Sequence, residues 1–361
     1  MADVEVSVCG LKLRNPVLPA AGPPGRNGAA LIACARGGAG GLVSKTVSVT
    51  PARIPTPNMA EIRCGLLNTE LWSEIPVEQW VATEYALAKE SGLPLIIGLG
   101  YTADDIAKLA PRVRPFADAV ELSTHYVGED PGPMMDAIRA AKQALDVPVL
   151  VKLSPLGRNM VAAAQSARDA GADGLVLINS FGPCLALDTE TGDPLLGGEG
   201  YGWLSGPAIK PLAIRCIFDV ARQVNLPIFG AGGITRGIDA IEMFMAGASA
   251  VQVCTAAILQ GPTILGKIAA EINSWLDDHD IPSIADIQGR ALRRASERQS
   301  SRDFVHPILD VQACTGCGLC ETSCVYGAIH VREHKATLDP QLCTGCGLCI
   351  TRCRPRALRL H

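Results

Sequence analysis

Fourteen cysteines occur in the chain, and eight of them crowd into its last 59 residues. They fall in two copies: residues 308–331, ILDVQACTGCGLCETSCVYGAIHV, align with 337–360, TLDPQLCTGCGLCITRCRPRALRL, at a constant offset of 29, cysteine on cysteine. Each copy reads C-x-x-C-x-x-C-x-x-x-C. Three thiolates at this spacing can wrap one iron–sulfur cluster through a tight glycine-containing turn, while the fourth is carried onward to the cluster of the other half. The expected assignment is therefore crossed. Cys314, Cys317, Cys320 and Cys353 hold one [4Fe–4S] cluster, and Cys343, Cys346, Cys349 and Cys324 hold the second. Gly316, Gly318, Gly345 and Gly347 permit the turns. Zinc sites or a disulfide knot are the competing uses, but zinc motifs usually pair two C-x-x-C units.

The compartment argues the same way. The N-terminus, MADVEVSVCG, has no basic segment followed by an apolar one, and no run reaches the 18 or so apolar residues of a membrane span. A cytoplasmic location is expected, where thiols stay reduced and clustered cysteines serve metals.

A second set of reactive residue types lies upstream, where polar or glycine positions terminate apolar runs. Lys45, Gly100, Ser123 to Tyr126, Lys152, Asn179 with Ser180, Gly232 with Gly233, and Thr255 all stand there. The runs cover 17–21, 41–46, 94–100, 119–123, 149–153, 174–179, 227–233 and 250–255. Amphipathic stretches at 77–90, 103–113, 134–145, 160–170, 208–224 and 238–246 separate them. Eight buried strands alternating with helices predict a (β/α)₈ barrel, in which chemistry belongs to the loops at the strands' C-terminal ends. An open doubly wound sheet is the alternative. A glycine pair after the seventh run and a threonine after the eighth are where such barrels hold a phosphate. Composition agrees: 48% hydrophobic residues, 19% charged ones and a formal charge of -4 exclude a disordered chain and give no electrostatic reason for a nucleic-acid partner. The expected domains are a barrel over 1–302 and a small α+β ferredoxin-like unit over 303–361.

The segments NPVLPAAG, GLVSKTV, LLNTELWSE, PVLVKLSP, GADGLVLINS, SGPAIKP, GAGGI and AVQVCTAA occur in this order over residues 1 to about 300. They resemble the FMN barrel of dihydroorotate dehydrogenases, and most closely that of dihydropyrimidine dehydrogenases. The tail resembles a bacterial two-cluster ferredoxin, and the latter family joins the same two modules. The resemblance implies FMN held by Ala20, Ala21 and Gly22, by Lys45, Thr46 and Lys152 beside the ring, and by Ser205, Gly206, Gly232, Gly233, Cys254 and Thr255 at the ribityl chain and phosphate. Cys254 is expected to contribute backbone, not a redox thiol. Lys152 would stabilise negative charge on the reduced flavin. Asn68, Asn179, Ser180 and Ser123 would bind a pyrimidine ring, since amides offer both donor and acceptor.

Two departures stand out. Val325 and Arg354 follow the fourth cysteine of each copy where the ferredoxin family has proline, with Pro355 one place later. Where the barrel family reads N-L-S-C-P, this chain reads Ser123, Thr124, His125, Tyr126, Val127, so the usual acid–base cysteine or serine is replaced. Tyr126 by position, or His125 by pKa, becomes the expected proton donor.

The resemblance implies reduction or oxidation of a C=C bond conjugated to a carbonyl, the 5,6 bond of uracil or thymine first. The alternatives are the same chemistry on dihydroorotate or another ring or enoyl compound, or electron transfer without a substrate of its own. No G-x-G-x-x-G follows a strand, so electrons are expected to come from an NAD(P)H-oxidising flavoprotein subunit or a soluble ferredoxin. No membrane partner is expected, and an oligomer is.

Overall fold

Short runs of Val, Ile, Leu and Ala become strands here because cover exists on both faces. In the computed structural model, which describes residues 2–100, 102–123, 130–297 and 305–360, the chain opens with a hairpin of β1 (Val6–Val8) and β2 (Leu11–Leu13). It enters the main sheet with β3 (Val17–Pro19) and β4 (Leu42–Val43), then leaves it through an antiparallel pair, β5 (Met59–Ile62) and β6 (Gly65–Asn68). It returns for β7 (Leu95–Leu99), β8 (Ala119–Leu122), β9 (Val149–Leu153) and β10 (Gly174–Leu177). A second excursion, β11 (Phe181–Cys184) and β12 (Gly202–Ser205), precedes β13 (Ile228–Ala231) and β14 (Ala250–Val253).

Every pairing in the eight-stranded sheet is parallel, and its order runs β3-β14-β13-β10-β9-β8-β7-β4. That is chain order around a ring, whereas an open doubly wound sheet reverses order at a switch point. At the seam between β3 and β4, the Gly40 N–H donates to the Val17 carbonyl at 2.8 Å. The architecture is a nearly closed (β/α)₈ barrel.

Helices cover the outside. Ala103–Val113 is typical: Thr102 and Asp105 form a reciprocal capping box, and Ile106, Leu109, Ala110 and Val113 recur on the buried face. Each large apolar side chain buried this way contributes about 1.5–3 kcal/mol. The 77–90 stretch is helical as expected over Val77–Lys89, but Trp80–Glu84 is wound as a π-helix.

Inside the barrel, one apolar layer takes a residue from each strand: Leu18, Val43, Ile96, Ala119, Leu150, Val176, Phe229 and Ala250. Val8, Leu11 and Leu13 of the hairpin join it from the strands' N-terminal end. Because side chains alternate along a strand, the next inward positions lie two residues further on. They are Ala20, Lys45, Gly98, Glu121, Lys152, Ile178, Ala231 and Gln252. The interior therefore turns from apolar to charged within one pleat.

The two excursions pair with each other into a four-stranded antiparallel sheet of order β11-β12-β6-β5. Trp203 lies opposite Asn68, and Ser205 opposite Leu66.

The contacts divide the chain into two compact units, Met1–Glu297 and Arg298–His361. In the second, β15 (Ile308–Leu309) pairs with β18 (Leu358–Arg359), and β16 (Ile329–Arg332) with β17 (Lys335–Leu338), all antiparallel. Short helices Leu319–Thr322 and Leu348–Arg352 occupy equivalent places in the two sequence copies. Ile329, Ala336 and Leu358 pack with Cys320 and Cys349 as its core. No helix among the described residues is long and apolar enough to cross a membrane.

Candidate functional site

Above the charged pleat, at the C-terminal ends of the strands, a cavity of about 1100 Å³ opens to solvent. Ala20, Ala21, Gly22, Lys45, Thr46 and Lys152 line it from β3, β4 and β9, and Asn68, Ser123, Asn179 and Ser180 from β6, β8 and β10. Ser205, Gly206, Gly232, Gly233, Cys254 and Thr255 close the far side. All the site residues expected upstream of the tail therefore meet at one place, with two exceptions. His125 and Tyr126 belong to residues 124–129, which lie outside the described residues.

Neither lysine stands alone. Lys45 Nζ is 2.7 Å from both Glu70 Oε2 and Glu74 Oε2, and Asn58 donates to the other Glu70 oxygen. Lys152 Nζ lies 3.3 Å from Glu121 Oε1 in a pair that is almost wholly buried. Among the described residues lining the cavity, no cation is left without a carboxylate. Glu70, Trp72, Trp203 and Gln252 also line it and were not expected from the sequence.

The glycine side has room for a ligand because side chains are excluded. Gly232 and Gly233 have φ of 114° and 80°, and a Cβ on Gly233 would meet the Lys210 backbone nitrogen at 2.8 Å. Gly22 is less tightly restricted, its Cβ standing 3.2 Å from the Cys254 Sγ. Thr255 Oγ1 donates to Ser205 Oγ at 2.8 Å. Bare backbone at Ala20, Ala21 and Gly22, with hydroxyls and glycine amides also lining the cavity, fits a flavin with its phosphate tail. Burial pushes the Cys254 thiol up to about 11, so at neutral pH it is a protonated, unreactive group.

Lower down, the loop after the glycine pair is tied to the next helix. Asp239 Oδ2 accepts from the Thr235 and Arg236 N–H groups and the Thr235 hydroxyl, and Asp239 Oδ1 pairs with Lys210 at 2.7 Å. Burial works against the ionised Asp239, but hydrogen bonds from Lys210 and Thr235 outweigh it and hold the carboxyl below its ordinary range.

The amides are partly committed. Asn68 Nδ2 donates to the Trp203 carbonyl at 3.1 Å and its Oδ1 accepts from the Glu70 N–H, leaving one N–H and one lone pair. Asn179 Oδ1 accepts from the Ser180 N–H at 2.9 Å.

In the tail unit, Cys314, Cys317, Cys320 and Cys353 line one cavity of about 330 Å³. Cys324, Cys343, Cys346 and Cys349 line a second of equal size. Among the described residues no three His, Cys, Asp or Glu close on a single ion. Four cysteines lining each cavity are the ligand number of a [4Fe–4S] cluster. Backbone N–H groups of Ala336, Ala328, Gly345 and Ala357 donate to the sulfurs of Cys314, Cys324, Cys343 and Cys353 at 3.1–3.4 Å. Gly316 and Gly345 have φ of 68° and 71°, and a Cβ on Gly316 would strike the His334 carbonyl at 2.4 Å. Burial, followed by repulsion from neighbouring cysteines, raises the Cys320 and Cys349 thiols; bound iron would offset that penalty.

The model of the dihydroorotate dehydrogenase family matches residues 3–276. The chain belongs to that family. The model of a 4Fe-4S dicluster domain matches residues 313–357. With these go the cofactors: FMN in the barrel and two [4Fe–4S] clusters in the tail. The chain is 37% identical over 300 residues to the dihydroorotate dehydrogenase B (NAD(+)) catalytic subunit of Methanothermobacter thermautotrophicus, covering 80% of this chain and 98% of the relative. It is 35% identical to the namesake from Geobacter sp. strain M21 and 33% identical to that from Pyrococcus abyssi, each over 80% of this chain and 97% and 99% of the relative. These relatives are thus spanned almost end to end by four-fifths of the chain, and the remaining fifth has no counterpart in them. The family includes flavin oxidoreductases acting on a CH–CH group, and this chain is one of them.

Proposed function

We propose that the chain is the substrate-handling subunit of an oxidoreductase that interconverts a dihydropyrimidine and its pyrimidine at the C5–C6 bond. The carrying observation is the cavity at the strand ends, where the backbone of Ala20, Ala21 and Gly22 and three amide or hydroxyl side chains, Asn68, Asn179 and Ser180, suited to a cyclic ureide, line one space. FMN bound there supplies the hydride chemistry. The protein's part is to hold the ring by those side chains, to keep Lys152 at the floor, and to move the proton on the neighbouring carbon by Tyr126 or His125. Dihydroorotate and orotate are the pair that kinship favours.

One observation favours a second reading, an uncharged pyrimidine such as uracil or thymine. A carboxylate on the ring would bring further negative charge beside Glu70, and among the described residues both lysines lining the cavity are already paired with glutamates. In either case the clusters carry electrons to or from a separate protein, an NAD(P)H-oxidising flavoprotein or a ferredoxin, in a cytoplasmic assembly.

Anaerobic mixing of the holoprotein with dihydroorotate, dihydrouracil or dihydrothymine separates the readings. Bleaching of the flavin by dihydroorotate alone supports the first, and by the uncharged rings alone the second. If none bleaches a flavin that dithionite reduces normally, the proposal of a pyrimidine substrate is wrong.

A further inference from the structure

Three strands of the barrel meet in a buried polar chain beneath the cavity. Glu121, on β8, is fully buried and does not itself line the cavity. Its Oε1 lies 3.3 Å from Lys152 Nζ on β9, and its Oε2 accepts from Gln252 Nε2 on β14 at 2.5 Å. Lys152 and Gln252 do line the cavity. Neither Glu121 Oε1 nor Gln252 Oε1 has a hydrogen-bond partner among the described residues. Lys152 is thus the cation that opposes Glu121, through a single contact.

We propose that Glu121 is a positioning residue for the flavin: it keeps Lys152 protonated and in place at the cavity floor, while Gln252 orients the carboxylate. The inference rests on FMN occupying the cavity beside Lys152. A buried ammonium stays charged only against a counter-charge. Among the described residues, the other groups around it do not supply one. Lys45 repels it and is itself committed to Glu70 and Glu74, and the Cys254 thiol is neutral, pushed up to about 11 by burial. With Glu121 ionised, the negative charge of the reduced flavin meets a cation already formed, and no proton need enter at Lys152. With a neutral residue at 121 the buried ammonium loses its counter-charge, burial then favours the neutral amine, and flavin reduction draws a proton in.

The test is the pH dependence of the flavin midpoint potential in the FMN-loaded protein, followed anaerobically by absorbance in wild type, Glu121→Gln, Lys152→Met and the double variant. Glu121→Gln should lower the potential at neutral and alkaline pH and make it fall more steeply with pH, by up to one extra proton per flavin reduced. Lys152→Met should lower the potential without the steeper slope, and the double variant should coincide with it, because Glu121 acts only through Lys152. A Glu121→Gln protein that holds FMN and keeps the wild-type profile overturns the proposal, as does a double variant displaced from Lys152→Met by the full effect of Glu121→Gln. If Glu121→Gln does not fold, the double variant decides: folding with the Lys152→Met profile supports the pairing, and failure to fold overturns it. Wild-type protein lacking FMN would instead defeat the underlying reading of the cavity.

Discussion

Hydride delivered to one carbon of a conjugated ring leaves negative charge on its neighbour, so a proton donor must stand on that side. In the proposed function it is assigned, by chain position, to Tyr126 or His125. General-acid help is typically worth about 10² to 10⁴ in rate, and its loss is measurable: Tyr126→Phe or His125→Gln should cut turnover by that order while flavin and cluster spectra stay normal. If His125 is the donor, the pH–rate profile of the wild type should bend within about a unit or two of neutrality. Full turnover in both single variants, with flavin content unchanged, would contradict the assignment. The lysines of the site were legible because a charged residue ending an apolar run has few bland explanations. Glu121 and Gln252 carry the same signal in AVEL and AVQV, polar residues in the middle of buried strands, and were passed over. Glu70 gives no such sign. Its part in the site comes from three-dimensional contacts, above all with Lys45, 25 residues upstream.

Loops that present bare backbone tolerate no Cβ. Gly233→Ala puts a side chain against Lys210 at a φ of 80°, a strain of about 1–3 kcal/mol placed at the proposed phosphate end. The variant should purify with FMN largely lost but its clusters intact, and flavin extraction measures this. Asp239 anchors the same region. Its carboxyl is depressed in the folded state, so its contribution is present above the ordinary aspartate range and fades as pH falls through the folded value. Asp239→Asn should therefore cost about 1–3 kcal/mol at neutral pH and little at strongly acid pH, in melts followed across pH. The eight barrel strands were readable since parallel strands buried on both faces form near-continuous apolar runs. The antiparallel sheet of β5, β6, β11 and β12 was not. Its members mix Gly, Pro and half-exposed positions, and β6 finds its partner β12 more than a hundred residues away.

Taken entire, the protein pairs a substrate-side cofactor with its own electron carriers but shows no dinucleotide fingerprint in its sequence. NADH or NADPH alone should leave the flavin oxidised in the purified protein, while a reduced ferredoxin or a cognate flavoprotein bleaches it; rapid bleaching by NADPH would count against a separate partner. Anaerobic preparations should contain one FMN and about eight iron atoms per chain. The tail's two cavities each take three cysteines from one sequence copy and the fourth from the other. Cys324→Ser should accordingly damage the cluster whose remaining sulfurs come from the second copy, visible in the electron paramagnetic resonance of the reduced protein. This exchange also has a temporal side. During synthesis neither iron centre can be finished until the ribosome has passed Cys349, and the first must wait for Cys353. A message cut short before Cys349 yields a barrel that carries neither cluster, so a full complement of iron certifies that translation ran through both copies.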